Sequence, residues 1–354
     1  MPSSKTYVGV VFGGASQEHD VSIQSASTVI NALKHEINAS RFNVSPIYID
    51  LQGSWWSFDI AEKALKKGFA LTKEELPTGL ATTGFQSFPP GSSNIQVWYP
   101  VLHGPNGEDG TIQGLLKLVG KPFVGSGVLA SALGMDKIAM KSAFASAGLP
   151  QIPYLSADAT DHINKEELKV SLTKELEHRI GYPCFIKPAN LGSSIGITKA
   201  NNRKELFEGL ETALRLDNRI VLEQAVVAKE LECAVLGCST LKASAVGEIR
   251  FNSDWYDYQT KYSEGSSQAL IPAPLSKDVT KRIQDLTLKA CQAITAKGMA
   301  RVDFFYKEET DELWVNEINT LPGFTSKSMY PMLWEAAGIS LEQLVAKLVE
   351  TAKE

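Results

Sequence analysis

Buried hydrophobic runs alternate with amphipathic segments along the first third of the chain. YVGVVFGG, FNVSPIYID and IQVWYPVLHG predict strands, while VSIQSASTVINALK and TIQGLLKLVG carry apolar positions at helical spacing. This alternation predicts a parallel sheet, and ligands bind such sheets at the carboxyl ends of the strands. Residues from about 53 to 93 are irregular apart from a helical patch at AEKALKKG.

The pattern changes after MDKIAMKSAFASAGLP, which predicts a helix that closes at Gly148 and Pro150. Short strands that are largely antiparallel are then predicted at PCFIKPA, SIGITKA, RIVLEQAV, ELECAVLGC and SAVGEIRF. KDVTKRIQDLTLKACQAITAKG predicts a long amphipathic helix that leads into a hairpin, and SLEQLVAKLVETA predicts a closing helix.

The hairpin RVDFFYKEETDELWVNEIN carries acids where apolar residues usually pack. A turn centred on Thr310 would set Asp303 opposite Glu317 and Arg301 opposite Asn319. The other parity is mostly apolar and suits a core: Val302, Phe304, Val315 and Ile318. A solvated edge hairpin has the same pattern, but carboxylates that face each other repel. Oxygen ligands of this kind suit Mg2+ or Mn2+ completed by substrate phosphates, and Arg301 adds a fork of donors.

A second stretch, FIKPANLGSSIGI, places Lys187 at the end of a strand and a Gly/Ser loop directly after it. Small residues let backbone N–H groups approach phosphate oxygens, and hydroxyls add donors. The loop donors would come from Gly192, Ser193, Ser194 and Gly196. The loop joins strand to strand and is not a Walker loop. Glycines alone would indicate a plain hairpin, whereas Lys187 beside them favours a nucleotide lid.

Three further stretches carry candidate chemistry. In VVFGGASQEHD, Glu18 lies where a dehydrogenase would hold a phosphate, so a ligand ammonium group suits it better; the alternative is an ordinary capped turn. In VLHGPNGEDG, His103 ends a strand, and structural and functional roles are equally favoured. In DWYDYQTKYSEG, Lys261 lies among aromatics, in either a surface loop or a substrate-covering loop.

Composition bounds the class of protein. The 354 residues predict two or three domains, and 44% hydrophobic and 21% charged residues are ordinary for a globular protein. A net charge of -5 offers no basic surface to nucleic acid or an anionic membrane. No signal peptide or membrane-spanning run is seen, and the four cysteines lack zinc or redox spacing. A reduced, cytoplasmic, soluble protein is expected.

Taken together, the motifs resemble one family. GGxSxE, HGxxGEDGxxQG, MDK, FIKPxxxGSSxGI, YDYxxKY, RVDF and NEINTxPGFTxxS follow in this order between about Tyr7 and Leu344. This order resembles the D-alanine–D-alanine ligases of the ATP-grasp superfamily. The resemblance implies an α/β and α+β fold with a Rossmann-like domain at 1–130, a central ATP-grasp subdomain at 131–222 and a C-terminal one at 223–354. ATP would lie between two antiparallel sheets, and the stretch from Asp50 to Asn94 is the part least covered.

The resemblance also implies roles for individual residues. Nucleotide contacts are implied for Lys137, Lys187, Glu223, Glu230 and Lys261, and divalent metal contacts, to two ions, for Asp303, Glu317 and Asn319. Glu18 would bind the ammonium group of the first D-alanine, His103 would lie near its carboxylate, and Ser328 and Met329 would hold the carboxylate of the second. Arg301 and the Gly323 N–H would stabilise the tetrahedral intermediate, and Ser193 and Tyr262 would close the loop onto Glu18.

The implied reaction is phosphoryl transfer from ATP to the first D-alanine, followed by attack of a second amine on the acyl phosphate. It would supply peptidoglycan precursors, in a homodimer. A D-alanine–D-lactate ligase is the nearest alternative, and Tyr262 favours an amine acceptor. An oxidoreductase is disfavoured because the dinucleotide fingerprint is lacking. A non-catalytic nucleotide-binding module is disfavoured by the intact set of Lys187, Arg301, Asp303, Glu317 and Asn319.

Overall fold

The computed structural model describes residues 5–77, 83–161, 165–251 and 267–354. Within them the chain builds three β-sheets in sequence order, each with its own helices. No helix in these ranges is long and apolar enough to cross a membrane.

The first sheet is mainly parallel and has the strand order β3–β2–β1–β4. Its strands are β1 (Thr6–Gly13), β2 (Phe42–Ile49), β3 (Trp55–Trp56) and β4 (Val97–Val101). The helices here are α1 (His19–Lys34), α2 (Glu36–Ala39), α3 (Phe58–Lys67) and α4 (Thr111–Val119). β1 runs parallel to both β2 and β4, which confirms the predicted parallel sheet. β4 ends at Val101, so His103 lies two residues beyond the strand and not at its last position.

The second sheet is antiparallel, with the order β5–β8–β6–β7. It contains β5 (Tyr154–Asp158), β6 (Cys184–Pro188), β7 (Thr198–Ala200) and β8 (Arg219–Gln224). The helices of this region are α5 (Val128–Met135), α6 (Lys137–Ser146), α7 (Lys165–Arg179) and α8 (Arg203–Leu216). The strand predicted at SIGITKA was too long at its start. Ser193 and Ser194 have φ of 51° and 59°, a left-handed backbone that a strand cannot contain.

The third sheet is also antiparallel and has the order β11–β10–β9–β12–β13. Its strands are β9 (Lys229–Gly237), β10 (Lys242–Phe251), β11 (Ser267–Leu270), β12 (Gly298–Lys307) and β13 (Glu312–Asn319). The helices α9 (Lys277–Ala293), α10 (Met329–Ala336) and α11 (Leu341–Thr351) complete the described chain.

The hairpin of β12 and β13 has the predicted register at its acidic end. Asp303 pairs with Glu317 and Arg301 with Asn319. A bulge follows, because Phe304 pairs with Val315 and Asn316 is the extra residue. The bulge explains why Val315 and Ile318, at odd and even positions, are both buried, at 0% and 3% exposure.

One hydrophobic core joins the two ends of the chain. Val10 and Phe12 of β1 share it with Tyr330 of α10 and Val345 of α11. Packing of this kind places the loop between β13 and α10 against the carboxyl end of the parallel sheet. The first and third sheets therefore meet where the candidate substrate residues lie.

Candidate active site

The acidic face of the β12–β13 hairpin is organised by Arg301. Its Nε and Nη2 donate to Oδ1 and Oδ2 of Asp303, each at 2.7 Å, and Nε lies 2.9 Å from Glu232 Oε2 on β9. Burial opposes the charge of Arg301, but Asp303 and Glu232 outweigh it and hold the pKa of Arg301 well above its usual range. The guanidinium is thus a fixed positive charge beside the carboxylates.

The donor set on this face fits a hard cation. Asp303, Glu317 and Asn319 supply oxygen atoms only, and a carboxylate that accepts two bonds from Arg301 keeps further lone pairs. Asn319 Oδ1 accepts one hydrogen bond, from Leu321 N at 2.8 Å, and retains a lone pair. In the described ranges no group of three or more His, Cys, Asp or Glu side chains is arranged to hold a metal. A metal site on this face would therefore need the carboxamide of Asn319 as well as the carboxylates of Asp303 and Glu317.

Three lysines and a glutamate form a buried cluster between the second and third sheets. Lys187 forms an ion pair with Glu223, and Lys141 Nζ lies 2.5 Å from Glu223 Oε1. Burial opposes ionisation of Glu223, but Lys141 and Lys187 outweigh it and hold the pKa of Glu223 far below its usual range. Glu223 in turn outweighs burial at Lys187 and raises the pKa of that ammonium group.

Lys137 extends this cluster toward the Gly/Ser loop. It lies at the start of α6, after the N-cap residue Asp136, and its Nζ donates to Leu191 O at 2.6 Å. Burial lowers the pKa of Lys137, while Glu317 acts in the opposite direction. Glu317 and Glu230 also raise the pKa of Lys187. The predicted phosphate, ribose and metal residues therefore share one electrostatic environment.

The Gly/Ser loop reaches back to the first sheet. Ser193 Oγ donates to Glu18 Oε1 at 2.5 Å, although the two residues are 175 positions apart. A Cβ at Gly104 would lie 3.0 Å from Glu18 Oε2, and Gly104 has a φ of 72°, so a side chain there would crowd the carboxylate. Glu18 is the N-cap residue of α1 and faces the turn that follows His103.

His103 is 4% exposed and lies between two polar partners. Its Nε2 is 3.2 Å from Ser25 Oγ, and its Nδ1 is 3.7 Å from Glu108 Oε1. Burial raises the pKa of Glu108, and the charge of Glu18 adds to this effect, whereas His103 opposes it. The carboxyl of Glu108 is therefore easier to protonate than an exposed one.

The loop between β13 and α10 brings the remaining predicted residues to His103. A Cβ at Gly323 would lie 3.0 Å from Ser328 Oγ and 3.8 Å from His103 Cε1. Phe324 N donates to Ser25 Oγ at 3.1 Å, and Thr325 N donates to Ser328 Oγ at 2.9 Å. Gly323, Ser328 and His103 are thus neighbours, as a shared site requires.

Comparison with known proteins identifies the arrangement. A family model described as "D-ala D-ala ligase N-terminus" matches residues 7–126, and one described as "D-ala D-ala ligase C-terminus" matches residues 143–350. The chain belongs to the D-alanine–D-alanine ligase family. It is 62% identical over 354 residues to a D-alanine–D-alanine ligase of Prochlorococcus marinus (strain MIT 9313) and 60% identical to one of Synechococcus sp. (strain WH7803), with 100% of both chains covered in each case.

Solved structures agree with this family and with the ATP-grasp fold. The VanG D-Ala:D-Ser ligase from Enterococcus faecalis has a TM-score of 0.83 and 33% identity, with 99% of this chain and 100% of that chain covered. The D-alanine–D-alanine ligase from Coxiella burnetii has a TM-score of 0.79 and 33% identity, over 99% and 94% of the two chains. The ligase family uses ATP and a divalent metal.

Lys261 and Tyr262 lie outside the described residues. Met329 is only 6% exposed, and it packs in the core at the start of α10. Ser194 has a φ of 59° in the loop, and its carbonyl oxygen accepts from Ile197 N at 3.3 Å.

Sequence reasoning missed Lys141, Ser25, Glu108 and Glu232. Lys141 follows Lys137 by four positions, which places both on one face of α6, and this spacing could have revealed it. Ser25 and Glu232 carry no local signal, because their roles depend on which distant segments pack against them. Glu108 follows His103 by five positions in the same turn, and this short separation could have revealed it.

Proposed function

We propose that this ligase joins two D-alanines to form D-alanyl-D-alanine, with ATP converted to ADP and phosphate, and so supplies peptidoglycan precursors. The observation that carries the proposal is the hydrogen bond from Ser193 to Glu18, which connects the candidate nucleotide lid to the candidate D-alanine site. The names of relatives 55–62% identical to this chain support the same reaction.

The first step needs a D-alanine carboxylate held in line with the terminal phosphate of ATP. Glu18 would bind the ammonium group, and His103, 4% exposed, would lie near the carboxylate. A carboxylate oxygen attacks the phosphorus, the bond to the ADP oxygen breaks, and an acyl phosphate forms. Lys137, Lys187 and Ser194 would hold phosphate oxygens, and Glu223 and Glu230 would contact the nucleoside, with Lys261 as a further phosphate contact.

In the second step the amine of another D-alanine attacks the carbonyl carbon, and phosphate leaves. Arg301, a fixed positive charge, and the N–H of Gly323 would stabilise the tetrahedral oxyanion. Ser328 and the N–H of Met329 would hold the carboxylate of the acceptor. Closure of the loop through Ser193 and Tyr262 would keep water from the acyl phosphate.

The residues proposed to hold the metal are Asp303, Glu317 and Asn319, and the ions proposed are two Mg2+ or Mn2+. When bound, the ions neutralise negative charge on the phosphates. The register that sets Asp303 opposite Glu317 supports this assignment, because a cation removes their mutual repulsion.

The acceptor proposed is an amine, with D-alanine preferred. A D-alanine–D-lactate ligase remains the alternative within the superfamily, but the curated relatives do not favour it. We also propose a homodimer and a division into domains at 1–130, 131–222 and 223–354, both of which the family resemblance supports. A cytoplasmic location is proposed as well, and the use of ATP supports it.

The deciding experiment measures phosphate release from ATP and Mg2+ with D-alanine, with L-alanine, or with D-alanine plus D-lactate, and identifies products by mass. Phosphate with D-alanyl-D-alanine, and none with L-alanine, is expected. A depsipeptide as the main product would move the assignment to the lactate ligases. No turnover with any of these would overturn the proposed substrate.

A further inference from the structure

Glu223 has two lysine partners, and their surroundings differ. The side chain of Lys141 is 2% exposed, whereas that of Lys187 is 12% exposed. Lys141 Nζ also lies 5.0 Å from the centroid of the Tyr154 ring on β5, which is a cation–π contact. Lys187 comes from the end of β6, next to the Gly/Ser loop. One partner is enclosed, and the other borders the candidate nucleotide site.

The proposed reaction makes conflicting demands on Lys187. A lysine that binds phosphate oxygens has to share its ammonium group between the phosphate and the carboxylate that it contacts directly, which weakens its contact with the carboxylate. Glu223 is 3% exposed, and a buried carboxylate that loses its only cation is strongly destabilised. A second cation that stays in place removes this penalty.

We propose that Lys141 is the permanent counter-ion of Glu223 and that it thereby frees Lys187 to bind nucleotide phosphate. Lys141 is a positioning residue that touches neither nucleotide nor D-alanine and acts through Glu223. The inference rests on the proposed function, in which Lys187 and Glu223 contact ATP. The strand register supports the division of labour: Glu223 lies between Tyr154 on β5 and Phe185 on β6, and Lys187 is two residues beyond Phe185 on the same face of β6.

The helix α6 supplies the fixed charge. Lys137 and Lys141 are four positions apart and lie on one face of α6, so both ammonium groups enter the same cluster. Lys137 Nζ donates to Leu191 O in the loop, whereas Lys141 Nζ contacts Glu223. Among Lys137, Lys141, Lys187 and Glu223, three ammonium groups face one carboxylate, so Glu223 keeps a positive neighbour when one lysine binds elsewhere.

The test compares Lys141→Met with Lys169→Met in the full-length protein. Lys169 is a matched control in the same region, because its Nζ pairs with Glu166 at 2.5 Å and lies 5.9 Å from the Phe207 ring centroid, away from the cluster. Calorimetry gives the Kd for a non-hydrolysable ATP analogue with Mg2+, and kinetics give the KM values for ATP and D-alanine. Lys141→Met should weaken analogue binding and raise the ATP KM by roughly tenfold or more. The D-alanine KM of Lys141→Met at saturating ATP should stay within about twofold of the wild-type value. For Lys169→Met, the Kd for the analogue and both KM values should stay within the same limit.

A double mutant separates this role from a merely structural one. Glu223→Gln removes the charge that Lys141 compensates, so Lys141→Met should cost little more in analogue binding when made in the Glu223→Gln background. Lys141→Arg keeps the charge and should restore binding to within a few-fold of wild type. If Lys141→Met does not fold, the double mutant and Lys141→Arg still provide the comparison. The double mutant has no carboxylate at position 223, and Lys141→Arg keeps a cation beside Glu223.

The outcomes are distinct. Two results would overturn the inference if the wild-type protein binds the analogue. In the first, Lys141→Met binds the analogue as tightly as wild type. In the second, Lys141→Met weakens analogue binding by the same factor in the wild-type and Glu223→Gln backgrounds. If Lys141→Met does not fold, a double mutant that binds clearly more weakly than Glu223→Gln alone would overturn it as well. Wild-type protein that does not bind the analogue at all would overturn the proposed function, and the inference with it. Analogue binding without D-alanine ligation would overturn only the proposed substrate and leave the role of Lys141 standing.

Discussion

Ser193 Oγ and Glu18 Oε1 lie 2.5 Å apart, and this hydrogen bond joins the Gly/Ser loop of the second sheet to the N-cap residue of α1. Ser193 holds a φ of 51°, which a residue other than glycine adopts at a cost of order 1–3 kcal/mol. The hydrogen bond to the half-buried carboxylate of Glu18 therefore holds a strained serine in place.

The Ser193–Glu18 bond should be energetically coupled to D-alanine binding. Ser193→Ala should lower kcat/KM for D-alanine by roughly tenfold, since the loop loses its anchor over the ammonium site. The same change in a Glu18→Gln background should cost much less, because the charge-assisted bond is already weakened. Steady-state kinetics of the four proteins check this, and losses that simply multiply would show that the bond has no functional role.

Glu317→Ala should abolish turnover, by at least about 100-fold, because a ligand of the proposed cation is lost. The fold should persist, since removal of Glu317 also relieves repulsion with Asp303 across the hairpin. Glu312→Ala, at the exposed start of the same strand, is the control and should retain activity. Phosphate release over a range of Mg2+ concentrations measures both. Wild-type activity of Glu317→Ala at limiting Mg2+ would contradict the metal assignment.

Ser25 should position the loop that carries Gly323. Its Oγ accepts from Phe324 N and contacts His103 Nε2, so Ser25→Ala leaves a buried N–H unpaired at a cost of about 1–3 kcal/mol. We expect kcat to fall by roughly tenfold while the KM for ATP stays unchanged. Ser142→Ala, on the exposed side of α6, is the matched control. Equal losses in kcat for both variants, or a change in the ATP KM alone, would argue against this role.

Glu108 should make the stability of the protein depend on pH. Burial, aided by Glu18, raises its pKa on folding, so its stabilising contribution is complete below the unfolded pKa of about 4.3 and is lost as pH rises through the folded pKa. Glu108→Gln keeps the shape without titrating. Its Tm should therefore gain on the wild-type Tm as pH rises. A difference that is constant with pH would refute the prediction.

Local patterns were sufficient to predict much of the fold and the register at the acidic end of the hairpin. The parallel first sheet, α1, α9 and the pairing of Asp303 with Glu317 follow from period and turn placement, which depend on neighbours in the sequence. The start of the strand at SIGITKA was predicted wrongly, because Ile195 and Ile197 alternate as in a strand, whereas the positive φ values of Ser194 and Gly196 cannot be read from the sequence pattern.

The sequence by itself determined most of the helices and strands, the acidic face of the hairpin and the resemblance to the family. Only the tertiary structure decided which partner each buried polar group meets. Ser25 and Phe324 are 299 positions apart, and the contact of Lys141 with Glu223 depends on how α6 docks against β8. The physical reason is that a buried charge or N–H has to be satisfied by whatever group packing brings to it, and packing is a property of the whole chain.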